Sequence, residues 1–80
     1  MKTTNILVSI RNKRKLSQDD MANILGVTRQ TYNAYENNLL KCDLGLVYKM
    51  LEVLEISDLE SIEFFDALKQ DFKSYKNNKE

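Results

Sequence analysis

The 80-residue chain has no histidine, no proline and no tryptophan, only two glycines and a single cysteine. Each shortage excludes something. Without histidine the commonest general base and metal ligand is missing. Cys42 alone can neither close an internal disulfide nor build a cysteine zinc site, so a reducing interior is its natural compartment. No glycine-rich phosphate loop is present, and the acids stand at helical spacing among lysines, the pattern of a solvated face. No catalysis, metal or cofactor is expected. No stretch approaches the ~20 apolar residues of a membrane span, and MKTTNILVSI lacks the apolar run of a secretion signal. A cytoplasmic protein without membrane contact is therefore expected. Scarce glycine and absent proline leave too little turn punctuation for a sheet protein, which points to an all-α fold.

Eighty residues make one small domain, a compact core with room for one appended element and none for a separate ligand-sensing domain. The formal net charge is zero, but it is unevenly spread: residues 1–41 carry seven Lys or Arg against three acids, residues 42–80 five against nine. A positive half can grip phosphate even in a neutral protein, because binding responds to local potential.

Periodicity and capping residues divide the chain into five helices. The first is expected from Thr3 or Thr4 as N-cap to about Arg14, with Leu7 and Ile10 inward and Ile6 beside them. Its last turn holds Arg11, Lys13, Arg14 and Lys15, the charge that a helix C-terminus favours. The second spans 17–25. Ser17 and Asp20 resemble a capping box, Met21, Ala22, Ile24 and Leu25 form the apolar side, and Gly26 supplies a left-handed stop. Thr28 opens a third helix over 28–36, with Tyr32, Tyr35 and Glu36 sharing the inward side and Asn37 and Asn38 ending it. Asp43 is expected to cap a fourth helix to about Glu55, with Leu44, Val47, Met50, Leu51 and Leu54 inward. Ser57 and Glu60 form a capping box for a fifth over 58–76, and 77–80 reads as a frayed tail.

Two short helices joined by a tight glycine turn are a helix-turn-helix arrangement. The major groove of B-DNA admits one α-helix, whose N-terminal residues reach the base edges. Arg29, Gln30, Thr31 and Asn33 point outward near that end of the third helix and suit this task. Arg can bond guanine twice and Gln adenine twice, and the Thr methyl can meet thymine.

The stretch LSQDDMANILGVTRQTYNAYENN, residues 16–38, resembles the phage-repressor and Cro-like (Xre-type) helix-turn-helix family. The resemblance extends from Ile6 to about Ile56. Its strongest pieces are Leu16-Ser17-Gln18, Ala22, Leu25-Gly26-Val27, Arg29-Gln30-Thr31 and Glu36-Asn37, all in register. It implies a compact five-helix, lambda-repressor-like DNA-binding domain at 1–57 with an extended C-terminal helix. It further implies Arg29, Gln30, Thr31 and Asn33 over bases, Gln18 at a phosphate, and Asn38 and Lys41 near phosphates after the third helix. Ser17, Thr28, Lys13 and Arg14 join these as candidate phosphate contacts. The resemblance also pairs Arg11 with Glu36 beneath the surface.

The chain departs from the family at Cys42, where proline is common, and at Tyr32 and Tyr35, where aliphatic residues or Trp are usual. Cys42 reads as a packing residue in preference to a redox sensor, and the tyrosines as core in preference to base stacking. In the fifth helix Phe65, Leu68, Phe72 and Tyr75 follow a 3-4-3 spacing, with Leu59 and Ile62 expected to pack on the domain. Two heptads leave two readings open, a dimer seam and a helix folded back over its own domain.

The expected function is sequence-specific double-stranded DNA binding by a homodimeric transcriptional regulator, a repressor at a near-palindromic operator, in the nucleoid-associated cytoplasm of a bacterium or its phage. An antitoxin of the same fold, with a toxin or other regulatory protein as partner, is the alternative. A protein-interaction adaptor comes third.

Overall fold

Five helices, α1 (Lys2–Lys13), α2 (Gln18–Leu25), α3 (Arg29–Asn37), α4 (Leu44–Val53) and α5 (Asp58–Asn78), with a 3-10 turn at Leu39–Lys41, make up a computed structural model that describes residues 1–78. Nothing is described of the side chains from Tyr75 onward, so the place of Tyr75 in the 3-4-3 seam, and the tail beyond Asn78, lie outside the described residues. The all-α class is as expected, and no strand occurs among the described residues.

Local chemistry explains most boundaries. Ser17 caps α2 with a complete capping box: its Oγ accepts the Asp20 N–H at 3.0 Å, and Asp20 Oδ2 accepts the Ser17 N–H at 2.9 Å. Ser57 and Glu60 repeat the device at α5, at 3.1 and 2.8 Å. Gly26 stops α2 at φ 74°, and the Val27 N–H closes the turn on the Ala22 carbonyl at 3.0 Å. The chain after α1 and after α4 bends in the same way without glycine. Lys15 and Glu55 sit at φ 60° and 50°, while the Leu16 and Ile56 N–H groups reach back to the Arg11 and Leu51 carbonyls. A left-handed side-chain-bearing residue costs roughly 1–2 kcal/mol.

The start of α1 corrects an expectation. The helix begins at Lys2, and neither Thr3 nor Thr4 is its N-cap. Its first N–H groups are satisfied from the far end of the fold. Asp71 on α5 accepts the Lys2 N–H at 2.8 Å, the Thr3 N–H at 2.9 Å and the Thr3 hydroxyl at 2.7 Å. Thr3 is buried, as is Asp71 at 5% exposure, so a carboxylate sits inside the protein because helix-end donors need it. Thr4 fastens α1 to α3 by donating to the Glu36 carbonyl at 2.7 Å.

The core gathers around fully buried Leu7, Met21, Tyr32, Met50 and Phe64, one from each helix, and Leu54 just after α4. Phe64 ties α5 into that core, so α5 folds back over the helices before it. Its inward residues are Phe64, Ala67 and Asp71, which shifts the expected faces. Leu59 and Ile62 are 75% and 67% exposed and do not pack on the domain, Phe65 and Phe72 are also exposed, and Leu68 is half-buried. Ile24 and Leu44, expected inward, are outward as well, Leu44 at 81%. Leu44 is the first residue of α4, one turn before buried Val47. Asp43 holds the N-cap position of α4 without a side-chain bond, and α4 ends at Val53.

Arg14 joins three elements: its guanidinium donates to the Leu54 carbonyl at 2.8 Å, the Glu55 carbonyl at 3.0 Å and Glu60 Oε1 at 3.1 Å. Lys13 adds an exposed contact to Glu60 at 3.5 Å. Arg14 thus answers the unpaired carbonyls at the end of α4, a role that the sequence did not indicate.

Two outcomes follow. Burial works against the Asp71 charge, but the Thr3 hydroxyl and the Thr3 and Lys2 N–H groups outweigh it and hold the carboxyl below its ordinary 3.8. Stability from a depressed folded-state pKa is complete above the unfolded value and drains as pH falls through the folded one. Urea unfolding from about pH 5 downward should show that loss in the parent and a flatter profile in Asp71→Ala, which at neutral pH should be weaker by about 1–3 kcal/mol. Lys15→Gly should raise the urea midpoint, by about 0.5–1 kcal/mol of stability, because glycine adopts φ 60° without strain.

Candidate nucleic-acid interface

The exposed side of α3 is built by anchoring its opposite side. Thr28 opens the helix by accepting the Thr31 N–H at 3.1 Å, and the two threonine hydroxyls share a bond of 2.9 Å. One turn on, Tyr32 and Glu36 are buried at 0% and 2% exposure. That fixes the helix rotation, so Arg29, Gln30 and Asn33 must face solvent, and they do. Thr31 is half-buried at the edge of this surface, and Tyr35 is half-buried and packed against the core. Tyr32 therefore belongs to the core.

Glu36 is the hub. Its carboxylate accepts Arg11 Nε at 2.9 Å, Arg11 Nη2 at 3.3 Å, the Tyr32 hydroxyl at 2.7 Å and Gln18 Nε2 at 3.1 Å. Arg11 also donates to the Leu16 carbonyl at 2.9 Å, so the ion pair binds α1, the following turn, α2 and α3 together. Burial, then the bond to Glu36, pushes the Tyr32 phenol far above its usual range, which keeps it a donor at any physiological pH. No buried side-chain polar atom lacks a partner among the described residues.

From the hub a chain of amides reaches the surface. Gln18 gives an N–H to Glu36, which turns its oxygen toward Asn33; Asn33 Nδ2 donates to that oxygen at 3.3 Å. Asn33 Oδ1 in turn accepts Asn37 Nδ2 at 3.1 Å. A carboxylate can only accept, so it sets the direction of every amide in this chain. Asn37, read from the sequence only as a helix end and part of the family resemblance, was not expected in the site, though its i, i+4 relation to Asn33 was the available signal.

Gln18, Arg29, Gln30 and Asn33 line one open polar concavity, which brings together one candidate phosphate contact and three of the four candidate base readers. Arg29 lies 3.8 Å from Asp19 with both side chains about two-thirds exposed, a screened contact that leaves the guanidinium available. Ser17 and Asn38 serve as caps with their oxygens, the latter accepting the Leu40 N–H at 3.2 Å. Each keeps donor hydrogens that a phosphate oxygen can accept. Lys41 is exposed at the edge of the 3-10 turn, whereas Lys13 stands apart beside Glu60. Cys42 packs partly against the core, and burial with the nearby Asp43 charge pushes its thiol up to about 11, the reverse of a reactive thiolate.

Because Glu36 is buried, removing its cation should be costly. Arg11→Ala should lower the unfolding free energy by about 3–5 kcal/mol in urea titration; a loss below about 1 kcal/mol would mean that the pair behaves as a surface contact.

A family model described as helix-turn-helix matches residues 7–60, which takes in α2, α3 and the concavity between them. No curated protein and no solved structure matches the chain. Among the described residues, no helix is long and apolar enough to cross a membrane. The capped helix pair, the glycine turn and the matched segment lead to one conclusion: the chain belongs to the Xre, Cro and lambda-repressor-like helix-turn-helix family, DNA-binding regulators of transcription.

Proposed function

We propose that this chain is a transcriptional repressor that binds a near-palindromic operator as a homodimer, each copy laying α3 in the major groove. The observation that carries this reading is the rigidly backed polar surface formed by Gln18, Arg29, Gln30 and Asn33. Arg29 and Gln30, at the N-terminus of α3, are the base readers, with Thr31 and Asn33 beside them. Ser17, Gln18, Thr28, Asn38 and Lys41 hold the flanking phosphates, which position the helix without reading sequence. One domain makes few phosphate contacts and binds weakly at cellular salt, whereas two copies about one DNA turn apart double the contacts and favour a symmetric site.

An antitoxin that also binds its operator is the second reading. The outward Leu59 and Ile62 on α5 favour it, because nothing among the described residues covers them. Co-purification of a stoichiometric partner encoded beside this chain separates the two.

Selection of bound sequences from random duplex DNA should return a near-palindrome. On that site Arg29→Ala and Gln30→Ala should each lose roughly 1–3 kcal/mol of affinity, with preference relaxed at one base pair per half-site. Lys41→Ala should weaken all duplexes alike and reduce the salt slope by about one. Equal affinity of parent and both base-reader variants for every duplex, with circular dichroism unchanged, would refute base reading by α3.

A further inference from the structure

The first turn of α2 holds side chains of α3 from beside. Gln18 orients Asn33 by accepting its amide N–H, and the next residue, Asp19, places Oδ1 3.8 Å from Arg29 Nε. Asp20 is spent on the capping box with Ser17, and Asp19 takes no part in it. Charge sets the Asp19–Arg29 pair apart from an ordinary surface contact. Arg29 is the first residue of α3, whose first turn holds no acid, so a cation occupies the positive end of a helix. Asp19, in turn, carries a negative charge beside a concavity whose proposed occupant is a polyanion. The α2 dipole favours an acid at position 19, and that alone would make Asp19 a helix-end charge with no part in recognition. The two roles differ in what they do to base preference.

An arginine presents its donors in a rigid planar fork. An acceptor on the Nε side leaves Nη1 and Nη2 to meet O6 and N7 of a guanine. In the free protein the contact is exposed and screened, so it does little. A duplex seated over Arg29 excludes water from the pair, and the same two charges attract more strongly in the lower dielectric. Asp19 therefore acts most in the complex, where it fixes which way the fork is turned. The same carboxylate repels phosphate at every sequence. It thus lowers affinity for all duplexes while widening the margin for the correct one, and a difference of affinities is what specificity is.

We infer that Asp19 is a positioning residue for sequence recognition, which turns the Arg29 fork toward a guanine and at the same time weakens binding to unrelated duplexes. The inference rests on the base-reading role of Arg29 given above and adds to it a determinant that touches no base.

A double-mutant cycle tests this with the full chain, Asp19→Ala, Arg29→Ala and the double variant. Each is titrated with the site selected by the parent, with that site changed at the base pair where Arg29→Ala relaxes preference, and with random duplex. Asp19→Ala, with parental helix content by circular dichroism, should bind random duplex a few-fold more tightly, a gain that shrinks with added salt. Its preference for guanine at the Arg29 position should fall about tenfold. In the Arg29→Ala background the same substitution should raise affinity for random duplex and leave base preference unchanged. Tighter binding to every duplex with guanine preference intact makes Asp19 a repelling charge only and overturns the inference. Weaker binding to every duplex in step with a lower urea midpoint, the mark of a helix-end charge, overturns it too. Both results leave base reading by Arg29 standing, whereas a parent without base preference at any position overturns both.

Discussion

One buried carboxylate organises this fold. Glu36 takes hydrogen bonds from Arg11, Tyr32 and Gln18, and so receives donors from three helices at a single point under the exposed surface of α3. A lone buried charge would be untenable, but here an opposite charge and two further donors surround it. The helices α2 and α3 are too short to persist in isolation, and their relative position is held by this cluster together with the packing of Met21, Leu25 and Tyr32. The position of Asn33 over the concavity is thus set from inside the protein. Its amide is oriented through Gln18 by a group that never reaches the surface.

Two kinds of restraint meet on the α3 surface. The Thr28 cap fixes where the helix begins, and the Tyr32–Glu36 anchor fixes its rotation. Neither alone orients Arg29 and Gln30. Together they leave only those two side chains' own rotamers free, so less order has to be imposed when a partner binds. Glycine is favoured in the α2–α3 turn because Gly26 lies at φ 74°, in a region which Lys15 and Glu55 reach elsewhere only with strain, and open space around it means that the constraint is backbone conformation and not crowding.

What was legible in the sequence was local. Ser17–Asp20, Gly26, Thr28 and Ser57–Glu60 act within four residues of themselves, and each is where its pattern put it. The outward set Arg29, Gln30 and Asn33 was legible too, since short i, i+3, i+4 relations to Tyr32 and Glu36 settle a helix face. Long-range chemistry was hidden. Thr3 and Thr4 look like N-caps, but their hydroxyls serve Asp71 and the Glu36 carbonyl, 68 and 32 residues away. Arg14 looks like a free cation until the end of α4 is brought beside it. In α5 the aromatic and aliphatic residues encircle the helix, so Phe65–Leu68–Phe72 is as good a stripe as Phe64–Ala67. The inward face includes an aspartate, which a search for apolar periodicity passes over. Only the donors waiting at the start of α1 make that face the right one.

The Asp71 contact also bears on how the chain comes into being. Synthesis runs from the first residue to the last, yet the opening turn of α1 finds its acceptor only at position 71. Phe64, which closes the core over Leu7 and Tyr32, likewise emerges late. During translation the recognition pair can therefore be complete in sequence while the helix beneath it lacks both its lid and its terminal acceptor. The candidate DNA-reading surface acquires its firm backing only after residues 64–71 are made and close on the start of α1.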